Sequence, residues 1–202
     1  MIIVGITGPT GAGKTVACET LTKLGAGVIN ADRVARAVTE KGSPVLAELA
    51  ECFGSDILNG GELDRKELAR RAFVDAESTE KLNSVIFPYI IKRISEEIQS
   101  VGSSANVVVL DAPTLFESGC DSLCDVTVAV LADAKHRLPR ILHRDGLSET
   151  DADLRMSAGK TDDFYISRVD HVVVNDGTVQ QLREKTECLY NQIINDFKEK
   201  LV

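Results

Sequence analysis

Residues 8–15 read Gly-Pro-Thr-Gly-Ala-Gly-Lys-Thr, a match to G-x-x-x-x-G-K-[ST]. These residue types suit one task, gripping a string of phosphates. Glycines let backbone N–H groups turn inward and approach phosphate oxygens without a Cβ in the way. A helix opening directly after the loop adds the partial positive charge of its N-terminus. Lys14 is a compact cation spaced to reach the β- and γ-phosphates, and the Thr15 hydroxyl is spaced to ligate Mg2+. Two carboxylates follow apolar runs further along: Asp32 after Gly27–Asn30, and Asp111 after Val107–Leu110. Ligands of open α/β sheets bind beyond the carboxyl ends of strands, so both acids are expected in the crevice of the phosphate loop. One can hold Mg2+, directly or through water; the other can take a proton from an attacking hydroxyl. A third feature is the basic stretch 135–160, with Arg137, Arg140, Arg144 and Arg155 in a chain of net charge −8. Arg140 and Arg144, four apart, share a helix face. Guanidinium forks there offset the charge that phosphoryl transfer spreads over equatorial oxygens. Gly146 and a Ser148–Asp151 capping box mark a helix-turn-helix that can move as a lid.

These groups need a frame. Ile2–Thr7 is a short apolar run expected of a buried parallel strand. A helix over Thr15–Leu24 follows and ends at Gly25. Gly27–Asn30, Val107–Leu110, Val126–Leu131 and Val172–Val174 supply four more strands. A last amphipathic helix carries Val179, Leu182, Leu189, Ile193 and Phe197. Strands alternating with helices predict a three-layer α/β fold, a five-stranded parallel sheet covered on both faces. Between the second and third strands the pattern is helical. Ser43-Pro44 reads as an N-cap and first helical residue. Asn59-Gly60-Gly61 is a turn. Asp64 and Glu67 resemble a capping box. A stripe from Leu82 to Ile98 is core-facing, and Pro88 within it is expected to kink the helix or start a new one. Residues 1–32 and 106–202 therefore form the core, 33–105 a helical insertion, and 135–160 a lid within the core.

Composition narrows the partners. With 202 residues, 44% hydrophobic and 27% charged, the chain can bury a core. Its acidic balance lacks the basic footprint of a nucleic-acid binder. No apolar run approaches the ~20 residues of a bilayer span, and the N-terminus lacks a basic leader, so neither a membrane nor a signal peptide is expected. Five cysteines without regular spacing predict a reducing, cytoplasmic setting, and Cys120 and Cys124 lack the partners of a zinc site. His136 and His143 are expected on an exposed helix surface. The quaternary expectation is a monomer or weak homo-oligomer.

The ordered set of motifs resembles the dephospho-coenzyme A kinase family over essentially the whole chain. Gly5–Thr15 matches its opening G-x-T-G-x-x-G-x-G-K-[ST]. Asn30-Ala31-Asp32 followed by Ala35-Arg36 matches D-A-D and A-R, with Asn30 standing for the first Asp. Phe53-Gly54, Leu63-Asp64-Arg65, Pro113 to Glu117, Arg140 to Gly146 and Asn175-Asp176-Gly177 complete it. Phe87-Pro88 stands where the family usually has His-Pro, Thr114 replaces a leucine, and Gly159 falls near a usual Gln. The resemblance implies a P-loop, nucleotide-kinase-like fold. It also implies ATP-dependent phosphorylation of the ribose 3′-hydroxyl of dephospho-CoA, with ATP and Mg2+ as cofactors. Lys14, Asp32, Arg140 and Arg144 would be catalytic, Asp32 as base. Gly8, Thr10, Gly11, Ala12, Gly13, Lys14, Thr15, Val16 and Asn175 would bind the nucleotide. Asp32, Arg65, Pro113 and Leu115 would meet the acceptor, and Thr15 and Asp111 the metal. A P-loop kinase of another acceptor, such as a nucleoside monophosphate, is the alternative. A GTP-dependent switch is disfavoured: Gly159-Lys160-Thr161-Asp162 lacks the first residue of [NT]-K-x-D and follows a charged helix.

Overall fold

The N-terminal run Ile2–Thr7 becomes strand β1, its last four residues fully buried. The computed structural model describes residues 1–199. β1 lies at the centre of a five-stranded sheet with β2 (Gly27–Asn30), β5 (Val107–Asp111), β6 (Val126–Leu131) and β7 (His171–Val174). The spatial order is β2-β5-β1-β6-β7, and every neighbouring pair is parallel. The five strands expected from the sequence are thus present. Helices α1 (Lys14–Lys23) and α9 (Val179–Glu199) cover one face through Ala17, Leu21, Leu182 and Ile193. Helices α2 (Ala31–Ala37) and α5 (Ala76–Gly102) cover the other through Val34, Ile90, Ile94 and Ile98. Parallel pairing brings all five carboxyl ends to one edge, so Gly8, Asn30 and Asp111 are neighbours although far apart in sequence. Asn30 and Asp111 are direct partners in the β2–β5 register.

The insertion contains α3 (Val45–Phe53), a hairpin of β3 (Leu58–Asn59) and β4 (Glu62–Leu63), and α4 (Arg65–Ala72). Two local expectations change. Helix α3 starts at Val45 with Pro44, not Ser43, as N-cap and no side-chain cap, while the Ser43 carbonyl accepts from the Leu46 N–H at 3.2 Å. The Asp64 carboxylate accepts from the N–H groups of Lys66 and Glu67 at 3.0 Å each, but Glu67 does not reach back. Arg70 and Arg71 bind its carboxylate instead, an exchange of a neutral partner for two charged ones. At Pro88, where a kink or a new helix is expected, no new helix begins: α5 runs for 27 residues through the proline, with that ring exposed. Beyond β6 come α6 (Ala134–Asp145), α7 (Glu149–Ser157) and α8 (Asp162–Ile166). Gly146 closes α6 at φ +64°, and Ser148 caps α7 by accepting from the Asp151 N–H at 3.1 Å. Among the described residues no helix is long and apolar enough to cross a membrane.

Candidate active site

Between β1 and α1 the loop Gly8–Gly13 wraps a crevice of about 700 Å³. Gly8, Gly11 and Gly13 all have positive φ, as required for amides to turn inward. Close approach fixes two of them further. A Cβ on Gly8 would lie 2.2 Å from the Val130 carbonyl oxygen, and one on Gly13 would lie 2.4 Å from Nδ2 of Asn175. No side chain caps α1, so its first-turn N–H groups face the crevice and are available to an anion. Lys14 lies over its own loop, donating to the carbonyls of Gly8 at 2.6 Å and Pro9 at 3.4 Å. Burial lowers the pKa of its ammonium, and nearby Asp111 works in the opposite sense.

The two acids differ. Asp32 is exposed in the first turn of α2 and lines the crevice. Asp111 ends β5 and is mostly withdrawn from water, which raises its carboxyl pKa against the pull of Lys14. Its Oδ2 accepts from Nδ2 of Asn30 at 3.0 Å, while its Oδ1 is buried with no partner. An orphaned buried carboxylate oxygen is costly unless a cation meets it. Together with the Thr15 hydroxyl in the same crevice, it is a hard oxygen donor set suited to Mg2+.

Helices α6 and α7 supply cations to the crevice lining. Arg140 donates to the carbonyls of Gly11 at 3.3 Å and Asn175 at 3.1 Å, bracing the phosphate loop from α6. Arg144 donates to the Thr10 hydroxyl at 3.3 Å. The Asp145 carboxylate holds Arg144 in a fork at 2.7 and 2.8 Å, which raises the pKa of the guanidinium. Arg155 on α7 joins the same carboxylate at 2.8 Å. Arg155, Lys160 and Glu117 also line the crevice; Arg155 and Lys160 belong to the basic stretch 135–160 and Glu117 closes the Pro113–Glu117 segment, but none of the three is among the expected site residues. The density of cations over 135–160 was the available signal for the first two.

Other expected site residues lie elsewhere. Leu115 is fully buried, filling the space that Gly5 leaves on β1, so its side chain is core while Pro113 lines the crevice. Ala12 is buried in the core and Val16 packs partly buried against it, and neither lines the crevice. Asn175 is buried behind the loop, its Nδ2 donating to the Ala12 carbonyl at 2.7 Å. It therefore holds the loop rather than lining the crevice. Arg65 is exposed on α4, donating to the Arg36 carbonyl at 3.2 Å, outside the crevice lining. His143 is exposed as expected, but His136 is half-buried with Nδ1 3.0 Å from Asp176.

The sequence profile described as dephospho-CoA kinase matches residues 2–181. The chain belongs to the dephospho-CoA kinase family. A dephospho-CoA kinase of Corynebacterium glutamicum is 38% identical over 197 residues, covering 96% of this chain and 98% of that one. One of Syntrophotalea carbinolica is 36% identical, covering 98% and 95%. The crystal structure of TT1252 from Thermus thermophilus superposes with a TM-score of 0.80 at 30% identity, covering 95% and 97%. Shikimate kinase from Acinetobacter baumannii, at 13% identity and a TM-score of 0.55, shares the fold alone. This is the nucleotide-kinase-like α/β architecture that the dephospho-CoA kinase resemblance implied.

Proposed function

We propose that the chain transfers the γ-phosphoryl group of ATP to the ribose 3′-hydroxyl of dephospho-CoA, giving coenzyme A and ADP. One observation carries this reading. The loop, both acids and the lid arginines meet in a single crevice, in a chain matching the family across residues 2–181. Inward amides of the loop and the Lys14 ammonium would bind the β- and γ-phosphates. Thr15 and Oδ1 of Asp111 would hold Mg2+, which when bound neutralises phosphate charge. Asp32, exposed at the crevice mouth, would accept the 3′-hydroxyl proton. The acceptor oxygen bonds to the γ-phosphorus as the bond to the β–γ bridging oxygen breaks. Arg140, Arg144 and Arg155 offset the charge spread over the equatorial oxygens. Lid closure would exclude water, which otherwise competes with the acceptor. Residues 33–105 would bind the acceptor, with Arg65 and Pro113 as contacts. The reading implies a cytoplasmic enzyme, monomeric or weakly self-associating, with no nucleic-acid partner.

A coupled ADP-release assay with dephospho-CoA, AMP, CMP and adenosine tests the acceptor. Release with dephospho-CoA at least 100-fold above the others is expected. Comparable or faster turnover of a nucleoside monophosphate would replace this reading with the alternative acceptor.

A further inference from the structure

We infer that Asn30 is a positioning residue: its amide clamps Oδ2 of Asp111 so that Oδ1 is presented to a divalent cation. The inference rests on the proposed kinase reading and adds a residue to it. Asn30 ends β2 and Asp111 ends β5, and the two are register partners on adjacent parallel strands. Side chains of such partners leave the sheet on the same side. Nδ2 of Asn30 donates to Oδ2 of Asp111 at 3.0 Å. Oδ1 of Asn30 accepts from the Arg33 N–H at 2.9 Å, capping α2. Both ends of the amide are thus engaged, and they fix its orientation. A flip would set a carbonyl oxygen against a carboxylate and a donor against a donor.

The clamp has a chemical result. A carboxylate held by one oxygen cannot turn to offer that oxygen elsewhere, and the remaining one, Oδ1, is the buried acceptor without a partner. Because the donor is a neutral amide, Asp111 keeps its charge available to a cation instead of spending it on an ion pair. The same residue starts the helix whose first turn carries Asp32. One side chain thereby sets both acids of the crevice, Asp111 through Nδ2 and Asp32 through Oδ1. Groups that orient metal ligands commonly change metal affinity 10–100-fold when removed.

Asn30→Ser and Asn30→Thr test this, since each retains a capping oxygen and neither reaches Asp111. Mn2+ affinity is measured by electron paramagnetic resonance on the full chain with a non-hydrolysable ATP analogue, beside thermal melting. Both variants are expected to melt close to the parent and to bind Mn2+ about 10-fold more weakly. Analogue affinity without metal is expected to be unchanged. Parent-like Mn2+ affinity in either folded variant would reduce Asn30 to a helix cap and overturn the inference. Asp111→Asn separates the two levels: its expected loss of Mn2+ binding sustains the metal assignment, whereas unchanged binding would remove the kinase metal site itself.

Discussion

Gly13→Ala gives the sharpest test of how the phosphate loop is held. Gly13 sits at φ +109°, where an L side chain is strained, at a cost of roughly 1–3 kcal/mol. The added Cβ would also lie 2.4 Å from Nδ2 of Asn175 and 3.0 Å from Cδ2 of Leu182. The Asn175 amide must then withdraw and give up its buried 2.7 Å bond to the Ala12 carbonyl. A buried acceptor left without its donor costs roughly 1–3 kcal/mol. The sum is about 2–6 kcal/mol, a large part of the stability of a domain. Urea denaturation of Gly13→Ala, Asn175→Ala and the double variant separates the contributions. Because the bond can be lost only once, the double variant should be less destabilised than the sum of the single variants, by about 1–2 kcal/mol. Gly119→Ala is the control, with φ +73° and open space around its Cβ, so only strain of about 1–2 kcal/mol applies. Strict additivity, or a Gly13→Ala cost no larger than that of Gly119→Ala, would refute the account of the loop as wedged against Asn175.

Lys14→Ala should lower kcat by about 10²–10³-fold while circular dichroism stays native, since it removes a fixed cation from the developing charge. Near-normal kcat in the folded variant would reject that role. For Asp32→Asn, kcat should fall about 10²–10⁴-fold with ATP affinity within a few-fold of the parent; a change confined to ATP affinity would make Asp32 a metal-site group. Acid stability offers a third check. Arg70 and then Arg71 hold the Glu67 carboxyl down to about 2, from an ordinary 4.5. A depressed folded-state pKa means the contribution is present above pH 4.5 and fades as pH falls towards 2. Carbon-13 titration of Glu67 should show this low midpoint, and Glu67→Gln should flatten that part of the stability curve; a midpoint near 4.5 would contradict the pairing.

Much of this was readable from the chain because short-range rules governed it. Glycine spacing and a following helix mark the phosphate loop, and apolar runs mark the five strands of the sheet. Asp32 and Asp111 could be sent to one crevice because parallel topology gathers strand ends. What escaped depends on contacts between distant residues. Nothing near Asn175 in sequence indicates that its amide serves Ala12, 163 positions away. Leu115 sits beside a crevice residue in sequence, yet packs against Gly5 because that glycine leaves room. The two-residue strands of the Leu58–Leu63 hairpin are too short for alternation to register. Glu67 had a plausible backbone target but was won by two arginines, whose charge outweighs one amide.

Helix α5 joins matters that its sequence position keeps apart. Its early turns, at Leu82 and Val85, are packed into the insertion with α3 and α4, and its later turns, at Ile94 and Ile98, lie under β2 and β5. At about 1.5 Å per residue it is a spar roughly 40 Å long. The α3–α4 cluster and the sheet are therefore built on one beam and cannot drift apart as beads on a string. The motion left to them is flexure of that beam. Pro88, lacking an amide hydrogen, is where its internal bonding is thinnest and bending costs least.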